Sequence, residues 1–167
     1  MFKKVLLTVL ITGGLAGLSL SVYSNQVLTE SVINEINDEI ADATAACDFK
    51  ASTKYYFAGT KFYSYEMVNG VESVVEQSFD EVMPAIKEVM AECSITLESE
   101  QIISETIDIS PTGQTADYVS EAIQMLRATD TKLFKSHNKG RVVYGFNHDK
   151  IVILESHYKV LAFEQVE

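Results

Sequence analysis

The chain has 167 residues, with 24 acidic against 13 basic side chains and a formal charge of −11, a balance that excludes nucleic acid as an expected partner. Two prolines, eight glycines and no repeat, low-complexity stretch or long linker predict mostly regular structure in one domain. Three scattered histidines (His137, His148, His157) and two cysteines do not make a metal-ligand set, and no cofactor motif is present.

In chain order, Lys3 and Lys4 precede an uncharged run from Val5 to Val22 and a small residue at Ser24, the pattern of a bacterial secretory leader over residues 1–24. An uncleaved anchor is the alternative, because the run approaches the length of a membrane-spanning helix. Gly13, Gly14 and Gly17 within it, and the lack of a positive cluster after it, favour removal. The expectation is a periplasmic or secreted bacterial protein, with a membrane partner only if the leader is kept. Removal takes away two lysines and no acid, so the charge of the remaining domain, residues 25–167, moves from −11 to −13.

Ile33, Ile36, Ile40, Ala43 and Cys47 recur at steps of three and four, which predicts a helix from about Gln26 to Ala46. The aromatic-rich segment Ser52–Ala58 is read as a brief second helix. Thr60–Val68 and Val71–Gln77 flank Asn69-Gly70, the dipeptide of a two-residue hairpin. Ser78-Phe-Asp-Glu81 is a capping box opening a helix to about Glu92, with Pro84 in its second turn. Four strands follow: Ser94–Ile109, Thr115–Arg127, Arg141–Phe146 after a polar link, and Ile151–Phe163. Strands of this length demand a curved antiparallel sheet of about six strands with the helices on one face, an α+β class.

An even cysteine count in an exported chain favours a disulfide, here Cys47 with Cys93, each just past the end of a predicted long helix. Its role is structural.

This order of elements, with Ser78-Phe-Asp-Glu-Val-Met-Pro-Ala-Ile leading to Ile95-Thr-Leu, the Pro111-Thr-Gly113 turn, and Phe146-Asn-His-Asp-Lys-Ile-Val-Ile with Ser156-His-Tyr158, resembles the nuclear-transport-factor-2-like superfamily, which includes SnoaL-like cyclases and ketosteroid isomerases. The resemblance spans nearly all of residues 25–167. It implies a cone-shaped fold whose sheet wraps a pocket beneath the helices, often dimerising through the outer sheet face.

Face parity then selects candidate pocket residues. The inward set is expected to include Tyr63, Tyr65 and Met67 from the hairpin; Ile95, Leu97, Ser99, Gln101, Ile103, Glu105, Ile107 and Ile109; Ala116, Tyr118, Ser120, Ala122, Gln124 and Leu126; Val142, Tyr144 and Phe146; and Val152, Leu154, Ser156, Tyr158, Val160 and Ala162. Glu105 is its only carboxylate, so no catalytic residue beyond this weak candidate stands out, whereas the isomerases of the resembled family use an aspartate base with a tyrosine and a protonated aspartic acid as donors. No serine sits in a Gly-x-Ser-x-Gly setting. His157, beside Glu155 and Lys159, reads as an outer-face residue.

Three functions stay open. The first is non-enzymatic binding of a small apolar or aromatic molecule lined by Tyr63, Tyr65, Tyr118, Gln124, Tyr144 and Tyr158. The second is a protein-interaction module acting through its sheet face as a homodimer. The third is a lyase or isomerase with Glu105 as base and a tyrosine as oxyanion donor.

Overall fold

A computed structural model describes residues 27–68, 70–128 and 130–166. The residues read as a leader, the predicted first turn at Gln26, and Asn69 of the hairpin turn lie outside them. The described chain forms α1 (Glu30–Ala45), α2 (Phe49–Ser52), β1 (Lys61–Val68), β2 (Val71–Ser78), α3 (Phe79–Glu92), β3 (Ile95–Ile109), β4 (Ala116–Ala128), β5 (Leu133–Asn147) and β6 (Lys150–Val166).

The six strands make one sheet in the order β2-β1-β6-β5-β4-β3. All neighbouring pairs are antiparallel except β1 and β6, which run parallel, so the sheet is mixed. The hairpin is closed by Val68 opposite Val71, and Gly70 takes φ +80, as a two-residue turn requires. Three helices on such a sheet give the expected α+β, cone-like architecture.

Local chemistry explains the helix starts. Thr29 caps α1, its Oγ1 accepting from the Val32 amide at 3.3 Å. At α3 the Glu81 carboxylate accepts from both the Ser78 amide and the Ser78 hydroxyl, each at 2.7 Å, which holds Glu81 below the usual carboxylate range. Asp48 caps α2 by accepting from the Ala51 amide at 3.0 Å, so the short helix is Phe49–Ser52, while the segment expected to be helical, Ser52–Ala58, runs mainly through turns.

The core joins one face of α1 to the sheet: Ile33 and Ile36 pack with Ala116, Tyr118, Val142, Tyr144 and Ile153. The face of the sheet that α1 covers is called inner below. A disulfide joins Cys47 to Cys93, Cα–Cα 5.7 Å, with both cysteines in the left-handed region just beyond the ends of α1 and α3. The staple between two helix ends is as the sequence predicts.

One boundary differs substantially. The polar stretch expected to link β4 to β5 is the first half of β5, which begins at Leu133. Its inward side chains are Phe134, Ser136 and Asn138, which lack the apolar alternation of an ordinary strand, yet β4 and β6 flank it and satisfy its backbone on both sides.

Candidate functional site

Bulges decide which side chains reach the inner face, because each one reverses the alternation beyond it. In β3, Glu98 and Ile103 have no partner in β4. Between them the faces exchange: Glu100 and Ile102 turn inward opposite Gln124 and Ala122, while Ser99 and Gln101, expected inside, lie opposite the outward Met125 and Ile123. Beyond Ile103 the original parity returns, so Glu105 faces Ser120 and Ile107 faces Tyr118. Two carboxylates of β3, not one, therefore stand on the inner face.

β6 carries two further bulges, at Leu154 and Leu161. Ser156, Tyr158 and Val160 are inward as expected, but Ile153 replaces Val152 and Leu154, and Phe163 replaces Ala162. Leu154 lies over Gly145 on the other side of the sheet.

Tyr63, Tyr65 and Met67 are also corrected. The parallel pairing sets Tyr63 beside His157 and Tyr65 beside Lys159, both on the outer face, and antiparallel pairing keeps Met67 on that side opposite Glu72. Adjacent aromatics at positions 62 and 63 make the parity of β1 ambiguous; the structure sends Phe62 inward, where it stacks on Tyr56 at 5.5 Å.

Of the remaining expected lining residues, Tyr118 and Tyr144 are fully buried core, and the Tyr144 hydroxyl donates to Asn37 Oδ1 at 2.5 Å. Burial pushes the Tyr144 hydroxyl well above its ordinary pKa. Gln124 and Tyr158 belong to a polar row lower on the inner face. There Gln124 Nε2 donates to Glu100 Oε1 (2.8 Å), Asn138 Nδ2 donates to Gln124 Oε1 (3.0 Å), and Asn138 Oδ1 accepts from both Ser136 Oγ (2.8 Å) and the Tyr158 hydroxyl (2.7 Å). Gln124, Asn138 and Ser136 are buried.

This row has a direction. Every amide donor points toward β3, so the chain of hydrogen bonds ends on the Glu100 carboxylate, and both amide orientations follow from that one acceptor. Burial raises the Glu100 pKa, the bond from Gln124 opposes the rise, and the charge of Glu105 adds to it. Burial also pushes the Tyr158 hydroxyl up to about 12, so it remains a donor at any physiological pH.

Inner-face apolar groups flank the row and stay open to solvent: Ile95 is 42% exposed, Ile102 38% and Phe163 57%. Phe163 stacks on Phe134 with ring centroids 5.2 Å apart. In register, Glu100, Gln124, Ser136 and Phe163 form one rung across four strands, and Ile102, Ala122, Asn138 and Val160 form the next.

The outer face is differently equipped. Arg141 makes a two-pronged bond to Asp117 (2.6 and 2.7 Å) and lies 3.6 Å from Glu155. His157 bonds Glu155 (2.9 Å) and the Tyr65 hydroxyl (3.0 Å) and stacks on Tyr63 at 4.4 Å. An open groove of about 510 Å³, lined by Thr106, Asp108, Asp117, Val119, Arg141 and Val143, lies on this side. Among the described residues there is no group of three or more metal-ligating side chains, and no helix long and apolar enough to cross a membrane.

Sequence reasoning missed Glu100, Ser136 and Asn138. The bulge at Glu98 hides the first, and the other two sit in the stretch expected to be a link.

No protein-family model matches the chain, and no curated protein matches it in sequence. Solved structures do. The beta subunit of the benzoate 1,2-dioxygenase from Burkholderia mallei superposes with a TM-score of 0.64 at 10% identity, covering 81% of this chain and 92% of that one. A nuclear-transport-factor-2-like protein of unknown function from Pseudomonas putida KT2440 gives 0.58 at 11% identity, covering 78% and 84%. A ketosteroid isomerase-like protein from Erwinia carotovora atroseptica gives 0.53 at 9% identity, covering 79% and 95%. At these identities the likeness is one of fold.

Proposed function

We propose that this chain, which has the nuclear-transport-factor-2-like fold, holds a small, largely apolar molecule against the inner face of its sheet, outside the cytoplasm and without chemistry. The observation that carries this reading is the coincidence, on neighbouring rungs, of a largely buried, directional polar row with solvent-exposed apolar side chains of the same face. Small-molecule sites combine these two features, an apolar surface for affinity and a few fixed polar groups for orientation. The lining is then Glu100, Gln124, Asn138 and Tyr158 with Ile102 and Phe163; Tyr63 and Tyr65 leave it for the outer face, and Tyr118 and Tyr144 support it from the core.

Export is supported by the leader pattern of residues 1–24 and by the Cys47–Cys93 bridge, which belongs in an oxidising compartment. Native mass spectrometry of protein purified from its own host, repeated after denaturation, tests the whole reading. A mass beginning at Asn25 with a stoichiometric small molecule supports it. A ligand-free dimer points instead to the interaction module, for which the ion-paired outer face around Arg141 offers a polar rather than an apolar surface.

One observation favours a lyase or isomerase as second reading: two carboxylates, Glu100 and Glu105, share the inner face. The ketosteroid isomerase-like protein of similar fold carries that description for itself. Binding is preferred because the Tyr158 hydroxyl, the donor this chemistry would use, is committed to Asn138 and stands three strands from Glu105 on its rung. Loss of turnover of a ketone substrate in E105Q with binding retained is the outcome that reverses the preference.

A further inference from the structure

The two faces of the sheet are sorted by charge as well as by polarity. Every lysine, arginine and histidine of the six strands falls on the outer face, Lys135, Lys139, Arg141 and Lys159 among them. The inner face around the polar row carries Glu100 and Glu105 and no basic strand residue. An outer-face acid finds a partner readily, as Asp117 finds Arg141, Glu121 finds His137 and Glu72 finds Lys159. Glu100 is bonded instead to a neutral amide, Gln124 Nε2, which uses one of its two carboxylate oxygens.

The bond directions sharpen this asymmetry. Because Ser136, Tyr158, Asn138 and Gln124 all pass their donors along the row, the row ends on an acceptor. What it offers an incoming molecule at Glu100 is lone pairs and negative charge. A carboxylate-bearing ligand would meet repulsion there, and a neutral hydroxyl would meet an acceptor without recovering the charge that burial makes costly. A protonated amine supplies both the donor and the countercharge.

Resting on the binding reading above, we propose that the ligand is a cationic amphiphile: a small primary or secondary amine on an apolar or aromatic body, with its ammonium at Glu100, Glu105 adding negative potential from the same face, and its body over Ile102 toward Phe163. The Glu100–Gln124–Ser136–Phe163 rung spans three interstrand spacings, about 14 Å, so the site suits a molecule of several carbons rather than ammonia or methylamine.

The test uses 4-phenylbutylamine and its neutral isostere 4-phenylbutan-1-ol, titrated calorimetrically into the natively processed protein at 0.15 M salt and neutral pH. The amine is expected to bind about ten-fold tighter than the alcohol, the scale of one charge-assisted hydrogen bond. E100Q, which keeps an oxygen for Gln124, is expected to remove that preference; E105Q is expected to reduce it partly, and thermal melts of both variants confirm folding. Equal binding of amine and alcohol by the unaltered protein overturns the ligand class while leaving the binding reading standing. A preference for amine that survives E100Q and E105Q assigns it to the acidic surface at large and overturns the site. Binding of neither probe overturns both this inference and the reading beneath it.

Discussion

Glu100 and Gln124 face each other across the β3–β4 ladder and are joined by a 2.8 Å hydrogen bond, a pairing that exists only because the bulge at Glu98 shifts β3 by one residue. Its energetic sign can be worked out. The folded-state pKa of Glu100 is raised, first by burial. Below about pH 4.3, the ordinary glutamate value, folded and unfolded chains both hold the proton and the residue costs nothing. As pH rises toward the raised folded value, the unfolded chain releases its proton first, and stability falls. E100Q is therefore expected to melt higher than the unaltered protein at pH 7, by about 2 to 4 °C for each kcal/mol recovered. The gap should close near pH 4, and thermal melts at the two pH values measure it.

Asn138 is the junction of the row, accepting from Ser136 and Tyr158 and donating to Gln124 while itself buried. N138A strands three polar groups at once and is expected to cost about 2 to 4 kcal/mol in urea unfolding. Y158F removes one donor and leaves Ser136 on the same oxygen, so about 1 kcal/mol is expected. Equal costs for the two variants would mean that the row is not the cooperative unit described here.

How much of this was legible in the sequence depends on what each residue's role requires. The capping box at Ser78 and Glu81, the Gly70 turn and the cysteine pair are local or counting signals, and each is found where it was expected. Parity along β4 was equally readable, since Ala116, Tyr118, Ser120, Ala122 and Gln124 pair without a bulge. The site itself was not. Glu98, Ile103, Leu154 and Leu161 carry no turn residue or glycine that marks a bulge, because the register is set by the fit of β3 to β4 and of β6 to β5 over their whole length. One unmarked residue in each case moved Glu100 and Phe163 inside and Ser99 and Ala162 out. The hairpin failed differently: β1 pairs with a strand about ninety positions later, in parallel, and that long-range pairing put Tyr63 and Tyr65 against His157.

The disulfide ties α1 to α3 across a sequence separation of 46. In the chain-entropy view a loop of that size removes about 4 kcal/mol of unfolded-state freedom. The double variant C47S/C93S, and the unaltered protein under reductant, should therefore lose a similar amount in urea unfolding. The α1–sheet core, built from Ile33, Ile36, Tyr118 and Tyr144, contains neither cysteine. Near-native far-ultraviolet circular dichroism in the reduced protein is the expected companion result, and wholesale loss of the sheet signal would show that the staple organises more than the helix ends.

Gly113 tests how the first described residues are anchored. It turns the chain between β3 and β4 at φ +67, and its carbonyl accepts from the Leu28 amide at 2.8 Å, which fixes the entry to α1. A methyl group there would stand 2.7 Å from Val27 Cβ and 3.4 Å from Val27 Cα, close to backbone that cannot simply rotate away. G113A combines a left-handed conformation unsuited to alanine with that contact, and about 1 to 3 kcal/mol of destabilisation is expected. Gly145 is the control. A methyl group at that position meets the end of the Leu154 side chain, at 2.6 Å, and its φ is not in the left-handed region, so a change of rotamer relieves the contact. G145A should cost clearly less than G113A, and hydrogen exchange at the Leu28 amide should accelerate in G113A alone; acceleration in both would place the anchor of α1 in the β-sheet rather than in this turn.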